Sequence, residues 1–422
     1  MGRRSWHIAV VTLGLGVAAC DSGGVSVDPT PVSTTTTPPT PEEPSDGVYR
    51  LGVLLPTDGD GKTLGDALVA GADAAKASLE EAGGVAGLPI EVVYHDEPAD
   101  PSAAVDVVES MIENDDIDAL VGPASSRNAL AVLDPVVANG LLTCSPTATA
   151  IELTDFDDNG FFVRTIGSDR LMAQAMAQAI DALGITRASV LFPNDDYGVD
   201  VAEALRDDLG TRDITDVQLV RYTPDAALVT AIDEALHDNP QAMAVIGSLS
   251  TGAAALAELR SRPLGVRVPT VVSDGMRSSE LGALVDPTNT ASIDGVTGVA
   301  PNAEPASWLV TQLQQNGADV PVAYAAYAYD CVNLLALAAE AAGSDDPAAA
   351  EAQIEDVSGG GFSCSTFADC REQLSRGANI DYNGASGQLE LNEQGDVTQA
   401  SYDVFEYVGG VDVKDRSVPA RL

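Results

Sequence analysis

Two doubly wound lobes, each a parallel β-sheet with helices on both faces, are the α/β fold that this 422-residue chain predicts. Three observations carry the expectation. Short apolar runs alternate with helical stretches of ten or more residues, the pattern of parallel strands joined by helical crossovers. The alternation restarts after "FFVRTIGSD" (161–169), so there are two series rather than one. Roughly 375 residues follow the N-terminal leader and tether, too many for one compact core and suited to two lobes.

In the first series "RLGVLLP" (50–56) reads as a strand and the Ala-rich periodic stretch 63–83 as its helix. "PIEVVYHDE" (89–97) precedes a helix near 101–114. "IDALVGP" (117–123) precedes one at 126–139, and "GLLTCSP" (140–146) is the next strand. The second series opens with helix 168–183. "RASVLFPND" (187–195) leads to helix 198–209, "DVQLVRY" (216–222) to helix 225–238, "AMAVIGS" (242–248) to helix 250–262, and "VRVPTVVSD" (266–274) closes it.

The N-terminus sets the compartment. "MGRR" is positively charged, and "WHIAVVTLGLGVAA" is apolar but too short and Gly-rich for a comfortable membrane span. It ends in "VAAC", which resembles a bacterial lipoprotein signal: residues 1–19 are the leader and Cys20 the lipidated residue. The alternative is an ordinary secretory signal with an incidental Cys. Residues 20–47, rich in Pro and Thr, read as a solvated tether. The expected location is therefore extracytoplasmic, anchored to the membrane by lipid.

A net charge of −43 repels phosphate backbones, which excludes nucleic acid as a partner. In an exposed compartment, Cys364 and Cys370 in "FSCSTFADCR" are expected to form a local disulfide. Cys144 and Cys331 are either a second pair or two buried thiols. No Cys/His spacing predicts a metal site, and no cofactor is expected. "GDGKT" (59–63) fails as a phosphate loop because Pro56 stands where Gly is required, and fails as an EF-hand because Ala67 holds the last ligand position. With no G-x-S-x-G elbow and three scattered histidines, no enzyme is expected.

Ligands of doubly wound sheets bind beyond the carboxyl ends of the strands, and two lobes make the cleft between them the natural site. "GPASSRN" (122–128) and "SPTATA" (145–150) both lie at such ends, each at the start of a helix. Ser125, Ser126, Thr147 and Thr149 offer hydroxyls beside the unpaired amides of a helix's first turn, which suits a carboxylate without any basic side chain. Each patch alone is more often a plain N-cap, and it is the two on neighbouring strands together that point to a ligand. "VVSD" places Asp274 at a strand end of the other lobe, where it could meet an ammonium group.

Several stretches in order carry a family resemblance: "GVLLPTDGDGKTLG", "DEPADPSAAV", "LVGPASS", "GLLTCSPTATAIEL", "NDDYGVDVAEAL", "SDGM", "YAAYAYDCVNLLALA" and "YNGASGQLELNEQGD". Over about residues 50–408 the chain resembles the periplasmic-type solute-binding proteins of ABC transporters, in their leucine/isoleucine/valine-binding branch. The resemblance implies a type I periplasmic-binding fold, with Rossmann-like lobes joined by three crossover strands near Arg164, Val296 and Gly387. It implies a first lobe of 48–165 and 297–387, a second of 166–296 and 388–410, and a tail of 411–422. It further implies that Ser126 and Thr149 hold a ligand carboxylate. The Thr147 carbonyl and Asp274 would receive its ammonium, while Tyr197 and Tyr324 wall the cleft.

There are departures from the family pattern. Leu64 replaces a first-loop aromatic, a cleft tyrosine is lost around Ser248 and Leu249, and "TAT" stands for the more usual "AAT". The expected function is a monomeric binding lipoprotein that captures a small zwitterion, possibly a branched-chain amino acid, by lobe closure and hands it to ABC permease subunits. The alternatives are a sensing receptor component with the same cleft, or a cleft for an amide or small organic acid.

Overall fold

The computed structural model describes residues 45–422 apart from 226, 303, 316 and 318–321. The leader, Cys20 and the tether up to residue 44 lie outside the described residues. The strands are β1 (Tyr49–Leu55), β2 (Ile90–Asp96), β3 (Ala119–Val121), β4 (Leu142–Ser145), β5 (Phe162–Arg164), β6 (Arg187–Pro193) and β7 (Asp216–Tyr222). They continue with β8 (Ala242–Val245), β9 (Thr270–Val272), β10 (Thr297–Pro301), β11 (Phe362–Cys364), β12 (Ile380–Tyr382), β13 (Gln399–Val408) and β14 (Val411–Arg421). The first eight α-helices are α1 (Lys62–Glu81), α2 (Pro101–Asn114), α3 (Ser126–Asn139), α4 (Glu152–Asp155), α5 (Asp169–Asp181), α6 (Asp196–Thr211), α7 (Leu228–Ala235) and α8 (Leu249–Arg260).

The first sheet has the order β2-β1-β3-β4-β5 and is parallel throughout. The second has the order β14-β13-β10-β9-β8-β6-β7, and its segment from β10 to β7 is parallel. The same winding is thus used twice, with the reversal of strand order between β1 and β3 and again between β6 and β8. Loops diverge at such a reversal and leave a crevice at the carboxyl ends of the strands.

Alternate residues of each strand serve opposite faces. Leu54 packs with Met111 and Val132 of α2 and α3. Its neighbours Val53 and Leu55 pack with Leu68 of α1 and with the buried residues of helix Val322–Ala342. In the second lobe Leu191 and Val245 face α7 and α8, whereas Val190 and Ala244 face α5 and α6. Each fully buried Leu or Val contributes about 1.5–3 kcal/mol. Helix Val322–Ala342 is buried over most of its length, which is why its sequence is apolar on every side. It approaches α1 closely because residue 71 is Gly; a Cβ there would lie 1.9 Å from the Ala325 carbonyl oxygen.

Three sequence expectations need correction. The second lobe connection does not fall near Val296: β10 runs to Pro301 within the second sheet, parallel to β9 and antiparallel to β13. The third falls later than Gly387, because the turn at Gly395 and Asp396 still bonds to Arg164 of β5 and β13 begins at Gln399. Residues 411–422 are not a tail, since Val411–Arg421 pairs antiparallel with β13. The hairpin turns on Gly409 and Gly410, with φ of 63° and 83°, a two-residue loop that needs positive φ twice and so selects Gly-Gly. That dipeptide between two strand-like runs is a local signal that the family pattern masks.

Cys364 and Cys370 are bonded, and so are Cys144 and Cys331, which settles the pairing that the sequence leaves open. The second bridge ties the end of β4 to helix Val322–Ala342 across 187 residues of chain. Longer loops lose more unfolded-state entropy on crosslinking. Replacing Cys144 and Cys331 together by Ala is expected to lower unfolding free energy by about 2–4 kcal/mol, and opening the 6-residue Cys364–Cys370 loop by less. Chemical denaturation of the two variants checks the order.

Candidate functional site

The first-lobe patch is built where β3 and β4 end. Ser125 sits at the cap position of α3 in extended backbone, but its side chain makes no capping bond. Glu97 serves instead. Its buried carboxylate accepts from the Ala124 N–H at 2.7 Å, the Ser125 N–H at 3.0 Å and Asn128 Nδ2 at 2.7 Å. Burial pushes the Glu97 carboxyl up, and these three donors oppose the shift. Two of the amides expected to greet a ligand are therefore already occupied.

The hydroxyls stitch the two patches together. Ser126 Oγ accepts from the Thr149 and Ala150 N–H groups at 3.1 and 3.3 Å, so its own O–H remains as a donor. Thr147 Oγ1 donates to the Ala124 carbonyl at 2.9 Å, and Ser145 Oγ to the Pro123 carbonyl at 2.6 Å. Ser126, Thr147 and Thr149 are partly buried and Ser125 is exposed.

The second lobe answers with acids and aromatics. Tyr197 lies in the first turn of α6, whose start is capped by Asp195 accepting from Gly198 N–H at 2.8 Å. Its hydroxyl donates to Asp274 Oδ1 at 3.0 Å, and the Gly275 N–H donates to the same oxygen at 2.8 Å. Asp274 lies two residues beyond β9 and is half-buried. Burial raises its carboxyl, against the pull of those two donors.

A residue that sequence reasoning missed lies between the two sets. Asp169 opens α5, is 2 % exposed, and donates its N–H to the Thr149 carbonyl at 2.9 Å. Its Oδ1 has no hydrogen-bond partner among the described residues, and neither has Oγ of the adjacent buried Ser168. Burial pushes the Asp169 carboxyl well above the carboxylate range, the Asp274 charge adds to this, and Arg164 and the Thr149 hydroxyl oppose it. A buried carboxylate left unpaired is costly, so this corner favours a proton or a cation.

Ser126, Thr149, Asp169, Asp274 and Tyr197 thus form one linked set. Tyr324, 37 % exposed, lies near enough for the Asp274 charge to help hold its hydroxyl proton, after burial. Thr147 touches the set through Ala124, and Ser125 has no side-chain bond within it. At the departures, Leu64 packs partly buried against the first-lobe core, and Ser248 caps α8, its Oγ accepting from Thr251 N–H at 3.2 Å. "GSD" at 167–169 carried the missing signal, a Ser-Asp pair at a helix start beyond a strand end, but such a pair reads first as an N-cap.

A cavity of about 450 Å³ lies elsewhere, lined by the lobe connections at Thr165, Asn302, Ser386 and Ala400 and by Arg421. None of the seven expected ligand residues lines it. The unpartnered acid marks the strand-end crevice, not this cavity, as the candidate site. Among the described residues no group of His, Cys, Asp or Glu could hold a metal ion, and no helix is long and apolar enough to cross a membrane.

The family model described as "Receptor family ligand binding region" matches residues 73–410, well over half of the chain. The chain belongs to this family. Relatives of this ligand-binding region include the chemotactic signal transduction system substrate-binding protein BasB of Halobacterium salinarum, 29% identical over 81% of this chain and 83% of that protein. The Leu/Ile/Val-binding protein homolog 3 of Brucella melitensis is 26% identical over 85% of this chain and 91% of its own length. Among solved structures, an ABC transporter substrate-binding protein of Desulfitobacterium hafniense in complex with Leu matches with a TM-score of 0.69 at 21% identity, covering 87% of this chain and 99% of that one. The two-lobed α/β fold and the resemblance to Leu/Ile/Val-binding proteins read from the sequence both hold.

Proposed function

We propose that this ligand-binding region captures a zwitterionic amino acid by lobe closure and delivers it to the permease subunits of an ABC transporter. In this reading the protein is an extracytoplasmic monomer anchored through lipid on Cys20. One observation carries the proposal: Thr149, bonded to Ser126 on one lobe, reaches Asp169 on the other, and Asp169 lies within electrostatic reach of the Asp274–Tyr197 pair. Neutral donors suit a carboxylate, and a pair of acids with an unpartnered oxygen suits an ammonium. The carboxylate docks first at Ser126 and Thr149. The second lobe then swings in, as hinge closure does around ligands in this architecture, and differential affinity for the closed state drives the motion.

Charge-assisted hydrogen bonds contribute roughly 1.5–3 kcal/mol each. Three or four are enough for micromolar binding, about −8 kcal/mol. The name of the Brucella relative supports an amino acid, while the altered wall at Leu64 and Ser248 leaves the side chain of that amino acid to experiment. Thermal-shift screening against amino acids, amides and small organic acids, followed by calorimetry, tests the reading. At least one amino acid is expected to bind in the micromolar range; stabilisation by amides or acids alone would overturn it.

A second reading is favoured by the chemotactic role in the name of the Halobacterium relative: the same cleft reports ligand to a membrane receptor. Uptake of the labelled ligand by a deletion strain separates the two, since loss of uptake supports transport and intact uptake with lost taxis supports sensing. For the anchor, Cys20→Ser is expected to shift the protein from the membrane pellet to the supernatant, and continued sedimentation with membranes would refute it.

A further inference from the structure

We propose that Arg164 and Asp396 are positioning residues for the ligand site, clamping the loop that bears Thr149 onto the third connection between the lobes. Arg164 ends β5 and is fully buried, an unusual place for a guanidinium in a small-molecule binding protein. Four of its five N–H donors have partners. Nε donates to Asp396 Oδ1 at 2.5 Å, Nη1 donates to the carbonyls of Ala148 and Ala150 at 3.2 and 2.9 Å, and Nη2 donates to Thr154 Oγ1 at 2.7 Å. The Thr154 hydroxyl in turn donates to Asp396 Oδ2 at 2.7 Å, which closes the ring.

The two carbonyls held by Nη1 flank Thr149 on either side. The segment from 146 to 151 has no regular secondary structure and is followed by a helix of only four residues, Glu152–Asp155. No backbone–backbone bond within the segment fixes its course. Ser145, Ser126 and the Asp169 N–H hold its amides and the Thr149 carbonyl from outside, leaving the Ala148 and Ala150 carbonyls to the arginine. The planar fork of the arginine sets the direction of both, because its donors are fixed relative to one another. A buried ion pair gives little net stability compared with well-packed apolar residues of the same volume, so its value here lies in geometry.

Asp396 brings the other end of the clamp. It sits in a turn in which the Gly395 carbonyl accepts from the Arg164 N–H at 3.0 Å and the Asp396 N–H donates to Asn392 Oδ1 at 3.0 Å. Three residues later the chain enters the second sheet at Gln399. The carboxylate-gripping loop and one lobe connection therefore share a single rigid joint. Rotation of the lobes and the shape of the loop are coupled through it, a role that rests on the functional reading given above.

The test uses Thr154→Val, which removes one hydroxyl at nearly constant shape, and Arg164→Lys, which keeps the charge and loses the fork. A core control, Ile232→Val, lies in the second lobe away from the joint. In the ligand-free full chain, amide exchange of residues 147–154 is expected to speed up about 10-fold or more in both clamp variants, and binding of the best amino acid from the screen to weaken roughly 10–100-fold, the loss of one or two hydrogen bonds to charge. Both are measured well below the melting temperature of each variant, and Ile232→Val is expected to change neither.

Wild-type exchange and affinity in a folded clamp variant, with only a lower melting temperature, would overturn the proposal and leave a structural brace. If Arg164→Lys does not fold, Thr154→Val decides. Should the wild-type chain bind no amino acid at all, the functional reading fails, while the exchange measurement still decides whether the clamp holds the loop.

Discussion

Asp274→Ala is expected to weaken amino acid binding by about 2–5 kcal/mol, a loss of roughly thirtyfold to several thousandfold. The substitution removes the acid to which the Tyr197 hydroxyl donates at 3.0 Å, so it leaves both a ligand ammonium and that hydroxyl without their acceptor. Asp169 sits close enough to sense the Asp274 charge, which places the expected loss below the sum of two independent acids. Asp169→Asn alone and the double variant complete the cycle, and coupling between neighbours is the expected outcome. Calorimetry showing unchanged affinity in Asp274→Ala would remove this residue from the site.

Amino acid affinity is expected to fall about tenfold for each pH unit below the ionisation of Asp169 in the empty site, with close to one proton released per ligand bound at those pH values. The sign follows from the geometry. Burial, and then the Asp274 charge, raise the Asp169 carboxyl well above its ordinary range, with Arg164 and the Thr149 hydroxyl opposing and Asp200 adding to the rise. The empty site therefore keeps a proton that an exposed aspartate would lose. An ammonium needs the carboxylate, so binding expels the proton. For the ligand-free fold the same shift contributes stability at low pH, and the contribution is lost as pH rises from the unfolded value through the raised folded one. Calorimetry in buffers of different ionisation enthalpy counts the proton. A count of zero at every pH where the fold is stable, with flat affinity, would contradict the role of Asp169.

Much of the fold was legible because each strand and helix announces itself locally. β7 begins and ends where "DVQLVRY" suggests, β6 begins with "RASVLFPND" and stops two residues short of its end, and α2 and α3 match their expected ranges. The hinge was less legible. β10 is short and shares its sheet with β13, a partner about a hundred residues away, so nothing near Val296 tells which lobe it joins. The stretch that forms β14 reads as a tail although Gly409–Gly410 marks its turn, because an exposed edge strand such as "VDVKDRSVPAR" shows little apolar periodicity.

The candidate site divides in the same way. Ser126, Thr149 and Asp274 are placed at strand ends and helix starts by pattern, whereas Tyr197 enters only through the family resemblance. Glu97 is placed by neither, since its capture of the Ala124 and Ser125 amides spans nearly thirty residues of chain.

By itself the sequence determined the alternation of strands and helices, the doubling of the lobe, and the hydroxyls and aspartate that stand at strand ends, all of which follow from side-chain periods of two and 3.6 and from local turn chemistry. Tertiary structure alone decided that Cys144 meets Cys331, that Glu97 occupies the α3 amides, that Arg164 and Asp396 hold the Thr149 loop, and that Asp169 lies buried beside Asp274. Each of these depends on how much water is excluded and on which distant residue fills the space, and neither quantity is written in the neighbours of a residue along the chain.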